Sequence, residues 1–257
     1  QLSDISRYVA EVANLTYDEH LPYVGRAAFA HKGGIHVAAM RRNERSYQHI
    51  DPRLVGNQMT VVVSELSGRG NLLSKAEEYG IQITDEEQVN RVLKTVKQLE
   101  AQGFSFEAAE ASVVMMFKRQ EKDYKPPFEL IDFSAEVEHR QGRGIFAEAT
   151  VKVRVDGEVI HTAAEGNGPV NALDLALRKA LVARYPNINN FHLVDYKVRI
   201  LDGHNGTNAT TRVLIETQNG SKSWSTVGAS TNIIEASWQA LVDSIEYGLL
   251  VCNDYQE

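Results

Sequence analysis

Cys252 is the only cysteine in this sequence, which excludes an internal disulfide and a zinc site built from cysteine pairs. A reducing, cytoplasmic setting is the expectation that follows. Long apolar runs are missing too, since none approaches the ~18 residues that a membrane span needs. The opening Gln1-Leu2-Ser3-Asp4-Ile5-Ser6-Arg7 has no basic lead and no apolar core, so no secretory leader is visible. It also starts without methionine, as a trimmed fragment would. There is no excess of positive charge: 27 basic against 34 acidic residues leave −7, which argues against a nucleic-acid partner. The densest basic cluster, Arg41, Arg42 and Arg45, reads as a solvated helix face.

With 257 residues the chain can bury one large core or two small ones. Ile5, Val9, Val12 and Ala13 recur at helical spacing behind Ser3, a candidate cap. Residues 21–34 read as loop with short turns, and residues 60–66 as an extended, β-branched run. Leu72, Leu73, Ala76 and Tyr79 mark a short helix ending at Gly80. Thr84 and Glu87 form a capping box ahead of the apolar face Val89, Val92, Val96 and Leu99, closed by Gly103. Ser105 is placed to cap another helix that turns Phe106, Ala109, Val113 and Phe117 inward, with Met115 and Met116 as core filler. Lys125-Pro126-Pro127 then stops the pattern, which sets an expected domain boundary between residues 1–125 and 126–257.

Past that boundary the sequence repeats itself. Phe128-Glu129-Leu130-Ile131-Asp132-Phe133 matches Phe191-His192-Leu193-Val194-Asp195-Tyr196. Ala149-Thr150 with Val153 matches Ala209-Thr210 with Val213, and Gly168, Ala176, Ala180 and Leu181 match Gly228, Ala236, Ala240 and Leu241. Each copy reads as three strands and a helix, with Val151, Val153 and Val155 alternating in one strand and Val213 and Ile215 in its twin. A copy this small buries its own sheet face poorly, so two copies packed together are expected. The fold class is α+β: a mainly helical first region, then a duplicated βββα domain whose sheets are covered by helices.

The densest chemistry lies in residues 29–57. His31 and His36 bracket Gly33-Gly34, and Tyr47 and His49 precede the Ile50-Asp51-Pro52 turn. Glycines permit positive φ and close approach, and proline disfavours helix before it. A bent loop presenting imidazole and phenol groups is therefore expected. The histidine spacing is not that of a helical zinc site and no acid stands between them, so no metal is assigned. From spacing alone, His36 reads most simply as a backbone-bonding group and Tyr47 as a packed aromatic. Ser67-Gly68-Arg69-Gly70-Asn71 reads as a turn and helix cap, with an anion held by its backbone N–H groups a lesser option.

The run Ala30-His31-Lys32-Gly33-Gly34-Ile35-His36, then His49-Ile50-Asp51-Pro52, then Val63-Ser64-Glu65-Leu66-Ser67-Gly68-Arg69 resembles the isopropylmalate and homocitrate synthase family. It is closest to the citramalate synthase branch, and the resemblance covers nearly the whole chain. It implies a linker plus regulatory domain, the carboxy-terminal part of such an enzyme. That enzyme is an acyltransferase joining acetyl-CoA to pyruvate in isoleucine biosynthesis. By the same resemblance His36 and Tyr47 are catalytic, reaching into an active site of the partner subunit as acid–base or hydrogen-bonding groups. His31 and Lys32 have weaker claims. No His-x-His pair or barrel-length series of strands and helices is present. The resemblance thus leaves the divalent metal and acetyl-CoA to an absent barrel, gives this chain no cofactor of its own, and implies that the chain alone is inactive.

It further implies a homodimer and control by a branched-chain amino acid, isoleucine ahead of leucine, which would fit the isopropylmalate branch. The residues themselves suggest where such a ligand sits. Glycine-rich entries lead into the repeat helices, and a helix amino terminus accepts a carboxylate. The candidates are Gly166, Gly168, Asn171 and Tyr185 in the first copy, and Thr226, Gly228, Ser230 and Asn232 in the second. A strand-to-helix turn needs such residues without any ligand, so a plain turn stays open, as does a stand-alone amino-acid-binding, dimerising module.

Overall fold

The computed structural model describes residues 2–15, 17–18, 20–25, 27–61, 69–79, 81, 83, 86–142, 144–220 and 222–252. Their contacts divide the chain into two units, Gln1–Lys97 and Gln98–Glu257.

In the first unit α1 (Leu2–Val12) has one buried residue, Ser3, whose hydroxyl donates to the Val55 carbonyl at 3.3 Å. The apolar stripe expected along this helix exists but points outward: Ile5, Val9 and Val12 are 59%, 56% and 69% exposed. Strand β1 (Ala30–His31) pairs in parallel with β2 (Thr60–Val61), and α2 (Gly34–Arg42) lies between them in the chain. The expected extended run beyond Val61 lies outside the described residues, as do Thr84 of the expected capping box and the terminating Gly80. Helix α3 (Arg69–Glu78) buries Leu72 and Ala76, and α4 (Glu86–Ala101) buries Val89, Val92 and Val96. Both follow the apolar spacing in the sequence.

In the second unit α4 is followed by Gly103, whose positive φ of 107° would strain any other residue. Arg212 donates to the Gly103 and Phe104 carbonyls at 2.6 and 3.2 Å. Helix α5 (Glu110–Lys118) starts later than Ser105 predicts, with Ala109 at its cap. Phe106 and Ala109 are buried all the same, so residues expected on a helix reach the core from an irregular segment. Packing overrides the local cap signal here.

Helix α5 belongs to the second unit, Gln98–Glu257, and is tied to β8 and α7. Ser112 donates to Asp243 at 2.7 Å and accepts from the buried Val227 amide at 3.1 Å. Arg119 donates to Asp243 at 2.6 Å and also to Glu246, which takes the Tyr124 hydroxyl as well. The Pro126-Pro127 break stops secondary structure without ending a unit.

The rest of the unit is β3 (Glu129–Arg140), β4 (Gly144–Val155), β5 (Glu158–Gly166), α6 (Pro169–Leu181), β6 (His192–Ile200), β7 (Thr211–Asn219), β8 (Lys222–Ser230) and α7 (Ile233–Leu250). The strands form two antiparallel sheets, β3-β4-β5 and β6-β7-β8. Helix α6 packs on the first sheet and α7 on the second. The protein is α+β, and the βββα duplication is present. Each first strand bulges at the same repeat position, between Leu130 and Asp132 and between Leu193 and Asp195.

The register of the repeat differs from that read in the sequence beyond the first strand. Phe133 faces Val151 and Tyr196 faces Ile215, so Val151 and Ile215 are equivalent and Ala149 corresponds to Val213. The third strands and helices agree: the Thr162 hydroxyl donates to Ala176 and the Thr226 hydroxyl to Ala240, both at 2.7 Å. The sequence pairing of Ala149 with Ala209 and Ala176 with Ala236 was therefore four residues short. A four-residue slip preserves strand facing, because the side-chain period is two. It turns a helix by only about 40° beyond one full turn. Apolar patterning is nearly blind to that error.

Among the described residues no helix is long and apolar enough to cross a membrane.

Candidate functional site

Gly33 caps α2 in an extended conformation, φ −79°, and neither Gly33 nor Gly34 takes positive φ. His36 is thus on the first turn of a helix, where a bent loop was expected. Neither backbone nor space requires glycine at position 33, since a side chain there would make only ordinary contact. A Cβ there would lie 3.8 Å from the His36 ring, which sits directly beside that backbone. Val37 and Met40 bury one face of α2, which turns His36 outward.

Asn43 then accepts from the Arg45 amide at 3.1 Å, starting the tight turn Glu44–Ser46 that brings the chain back. This return stacks Tyr47 on His36, with ring centroids 4.1 Å apart and planes 26° from parallel. Tyr47 is 49% exposed. The two predicted catalytic residues therefore form one accessible pair. Imidazole and phenol side by side offer a proton acceptor and a donor on one small surface.

The same unit holds His31 and His49, which the sequence names, and Tyr23, Gln48 and Asn57, which it does not. His31 is held on β1 opposite Val61. Burial first, and the neighbouring His36 second, keep its pKa below the ordinary histidine value, so it favours the neutral form. Its Nε2 is buried without a hydrogen-bond partner, as is Nε2 of Gln48, next to Tyr47. His49 meets Tyr23, with ring centroids 5.6 Å apart. Tyr23 has φ of 66°, which a bulky side chain rarely adopts. Asn57 supports that backbone by donating to the Tyr23 and Gly25 carbonyls at 3.0 and 2.8 Å, and Tyr17 donates to Val24 at 2.6 Å. Asp51 accepts from the Arg53 amide at 3.0 Å and caps the turn Pro52–Val55, as the Asp-Pro pair predicts. No periodic pattern links Tyr23, Gln48 and Asn57. Only the fold collects them.

The proposed anion cradle at residues 67–71 is only partly visible, because Ser67 and Gly68 lie outside the described residues. Among those described, no cluster of three His, Cys, Asp or Glu could hold a metal ion.

In the second unit the helix entries differ from each other. Asn232 caps α7 by accepting from the Ile234 and Glu235 amides at 2.9 and 3.4 Å. Ser230 donates to Glu235 at 2.7 Å and accepts from the Asn232 amide at 3.1 Å. This entry is closed by its own side chains. At α6 the cap is Gly168, with no side-chain bond, and Asn171 accepts from the Asn167 amide at 3.0 Å. The first helix entry is thus the more open one for a carboxylate.

Three other candidates are engaged in packing. A Cβ at Gly228 would lie 2.0 Å from the Ala236 carbonyl, and one at Gly166 would lie 2.5 Å from the Ala172 amide. Both glycines let a strand touch its helix. Thr226 is fully buried with its hydroxyl on Ala240. Tyr185 donates to the Pro127 carbonyl at 3.1 Å, and burial, then Asp156, hold its phenol above the ordinary range.

A family model described as the LeuA allosteric (dimerisation) domain matches residues 107–249, and one described as homocitrate synthase post-HMGL domain-like matches residues 23–103. The chain is 53% identical over 98% of its length to an (R)-citramalate synthase of Synechocystis sp.. It is 49% identical to the (R)-citramalate synthase of Geobacter sulfurreducens and 39% to that of Sulfolobus acidocaldarius, each over 97% of its length. These matches take up 47%, 48% and 46% of the relatives, so the chain spans about half the length of the curated relatives it matches.

Proposed function

We propose, from the premise that this chain belongs to the family of LeuA allosteric (dimerisation) domains, that it is the control-bearing carboxy-terminal half of an (R)-citramalate synthase. The enzyme would join acetyl-CoA to pyruvate, in the cytoplasm, with the metal and the acyl donor held by a preceding half. Among the described residues no cluster of three His, Cys, Asp or Glu offers that metal a ligand set.

The observation that carries the reading is the His36–Tyr47 stack. Two accessible proton-handling groups in contact suit a complementing role, in which one ring stabilises a developing enolate oxygen and the other exchanges a proton. Neither imidazole nor phenol alone completes a nucleophile–base–orienter set, so the chain by itself is inactive in this reading.

The twin βββα unit is the control element. A free branched-chain amino acid, isoleucine first, would place its carboxylate at the open entry to α6 around Gly166, Gly168 and Asn171. Tyr185, past the end of α6, would wall that pocket, while the second entry at Thr226, Gly228, Ser230 and Asn232 is closed by its own side chains and takes no ligand in this reading. Pairing with a second copy suits the large apolar side chains left exposed on the sheets, such as Val137 and Ile145 on the first and Val198 and Ile200 on the second. The effector would act by population shift, favouring an arrangement in which His36 and Tyr47 leave the reaction centre. Linkage then makes substrate weaken effector binding.

The test uses the longer polypeptide. His36→Ala and Tyr47→Phe should each cut citramalate formation by roughly 10²-fold or more, and isoleucine should give binding heat in calorimetry. Normal turnover in both variants would remove the catalytic assignment and leave a dimerising module. Heat with leucine and none with isoleucine would move the chain to the isopropylmalate branch.

A further inference from the structure

Helix α1 is built inside out for the unit that carries it. Leu2, Ile5, Val9 and Val12 fall on one stripe at helical spacing, and they are 49%, 59%, 56% and 69% exposed. Tyr8 beside the stripe and Leu15 beyond the helix are each 67% exposed. The single buried residue, Ser3, lies off the stripe and anchors the helix to Val55. Scattered apolar side chains on a surface are ordinary, but a continuous stripe of them marks a contact face.

The post-HMGL model begins to match only at residue 23, downstream of α1, and its description places it after an HMGL domain. The Synechocystis relative aligns with 98% of the chain, which leaves too few residues over to omit α1, and this match fills only 47% of that relative. We propose that the Ile5–Val9–Val12 face of α1 is the docking strip for the preceding half of the same polypeptide, and that α1 couples that half to the unit carrying His36 and Tyr47. The inference rests on the reading above in one respect, that a preceding half exists. It does not depend on the reaction.

Apolar burial of the stripe supplies the attraction, and the Ser3 bond holds the opposite side to the Pro52–Val55 turn. The strip thus leads, through one short helix, to the turn that follows Tyr47 and His49.

Hydrogen exchange read by mass spectrometry tests this on two lengths, the 257-residue chain and the polypeptide with its preceding half. The α1 amides should exchange at least about tenfold more slowly in the longer polypeptide. The double variant Ile5→Lys, Val9→Lys should abolish that difference, while the melting of the 257-residue chain stays unchanged. Equal exchange in both lengths would overturn the proposal. So would protection of α1 in the 257-residue chain that rises with concentration, which would put a second copy on the strip. Protected α1 without citramalate formation would sink the proposed reaction and leave the docking strip standing.

Discussion

Replacing Arg119 should loosen the second unit more than any surface substitution. Its guanidinium joins α5 to α7 by donating to Asp243 at 2.6 Å and to Glu246. Burial works against its charge, yet Asp243 and Glu246 hold its pKa above the ordinary arginine range. Glu246 is only 4% exposed, so Arg119→Ala leaves an uncompensated carboxylate in the interior. Breaking a buried pair from one side costs about 3–5 kcal/mol. Because the Arg119 side chain is 36% exposed and Tyr124 still bonds Glu246, solvent screening brings the cost to or below the foot of that range, about 2–3 kcal/mol. For a unit of this size that is a fall in melting temperature of roughly 4–12 °C.

The assay is specific, because both tryptophans in the sequence, Trp224 and Trp238, lie in the second unit and are 6% exposed. Thermal unfolding followed by tryptophan fluorescence therefore reports this unit alone. The double variant Arg119→Met, Glu246→Gln should recover part of the loss, since it removes Arg119 and the buried Glu246 charge together and leaves Asp243 only the Ser112 hydroxyl. If Arg119→Ala melts within 1–2 °C of the parent, a span well below the shift expected for so large a loss, the ion network does not hold α5 and this account of the unit boundary fails.

Three further outcomes follow from single positions. Gly228→Ala would drive a Cβ to 2.0 Å from the Ala236 carbonyl, a backbone atom that cannot step aside, so the fluorescence melt should drop by the ~1–3 kcal/mol of an overpacked core or more. Asn57→Ala removes two bonds to the Tyr23 and Gly25 carbonyls, which should cost about 1–3 kcal/mol and speed amide exchange around residues 21–25 in the first unit. Cys252 is held above the ordinary thiol pKa by burial, with Lys222 opposing. Less thiolate is then present at pH 8 than in a free thiol, so iodoacetamide should react more slowly than with free cysteine and the gap should narrow as pH rises.

Much of the plan was written in residue pattern. The α+β class and the βββα duplication followed from alternation and repetition. The apolar faces of α3 and α4 followed from helical spacing. Spacing alone left His36 and Tyr47 as ordinary residues. It was the resemblance that joined them, and the turn at Asn43–Ser46 stacks them at 4.1 Å. Tyr23 and Asn57 were not legible at all. A left-handed tyrosine backbone and the amide that supports it have no signature except in three dimensions.

Local chemistry sets which residues are apolar, how they recur and where chain direction must change, because sterics and side-chain periodicity act over a few residues. Tertiary packing decided the rest. It started α5 at Glu110 instead of Ser105, placed the repeat four residues from where its apolar pattern also fitted, and turned the stripe of α1 outward. Each of these choices leaves the local pattern satisfied either way. The balance is struck by contacts between segments distant in the chain, such as Thr226 on Ala240 or Arg119 between Asp243 and Glu246, whose energies enter only when the fold brings the partners together.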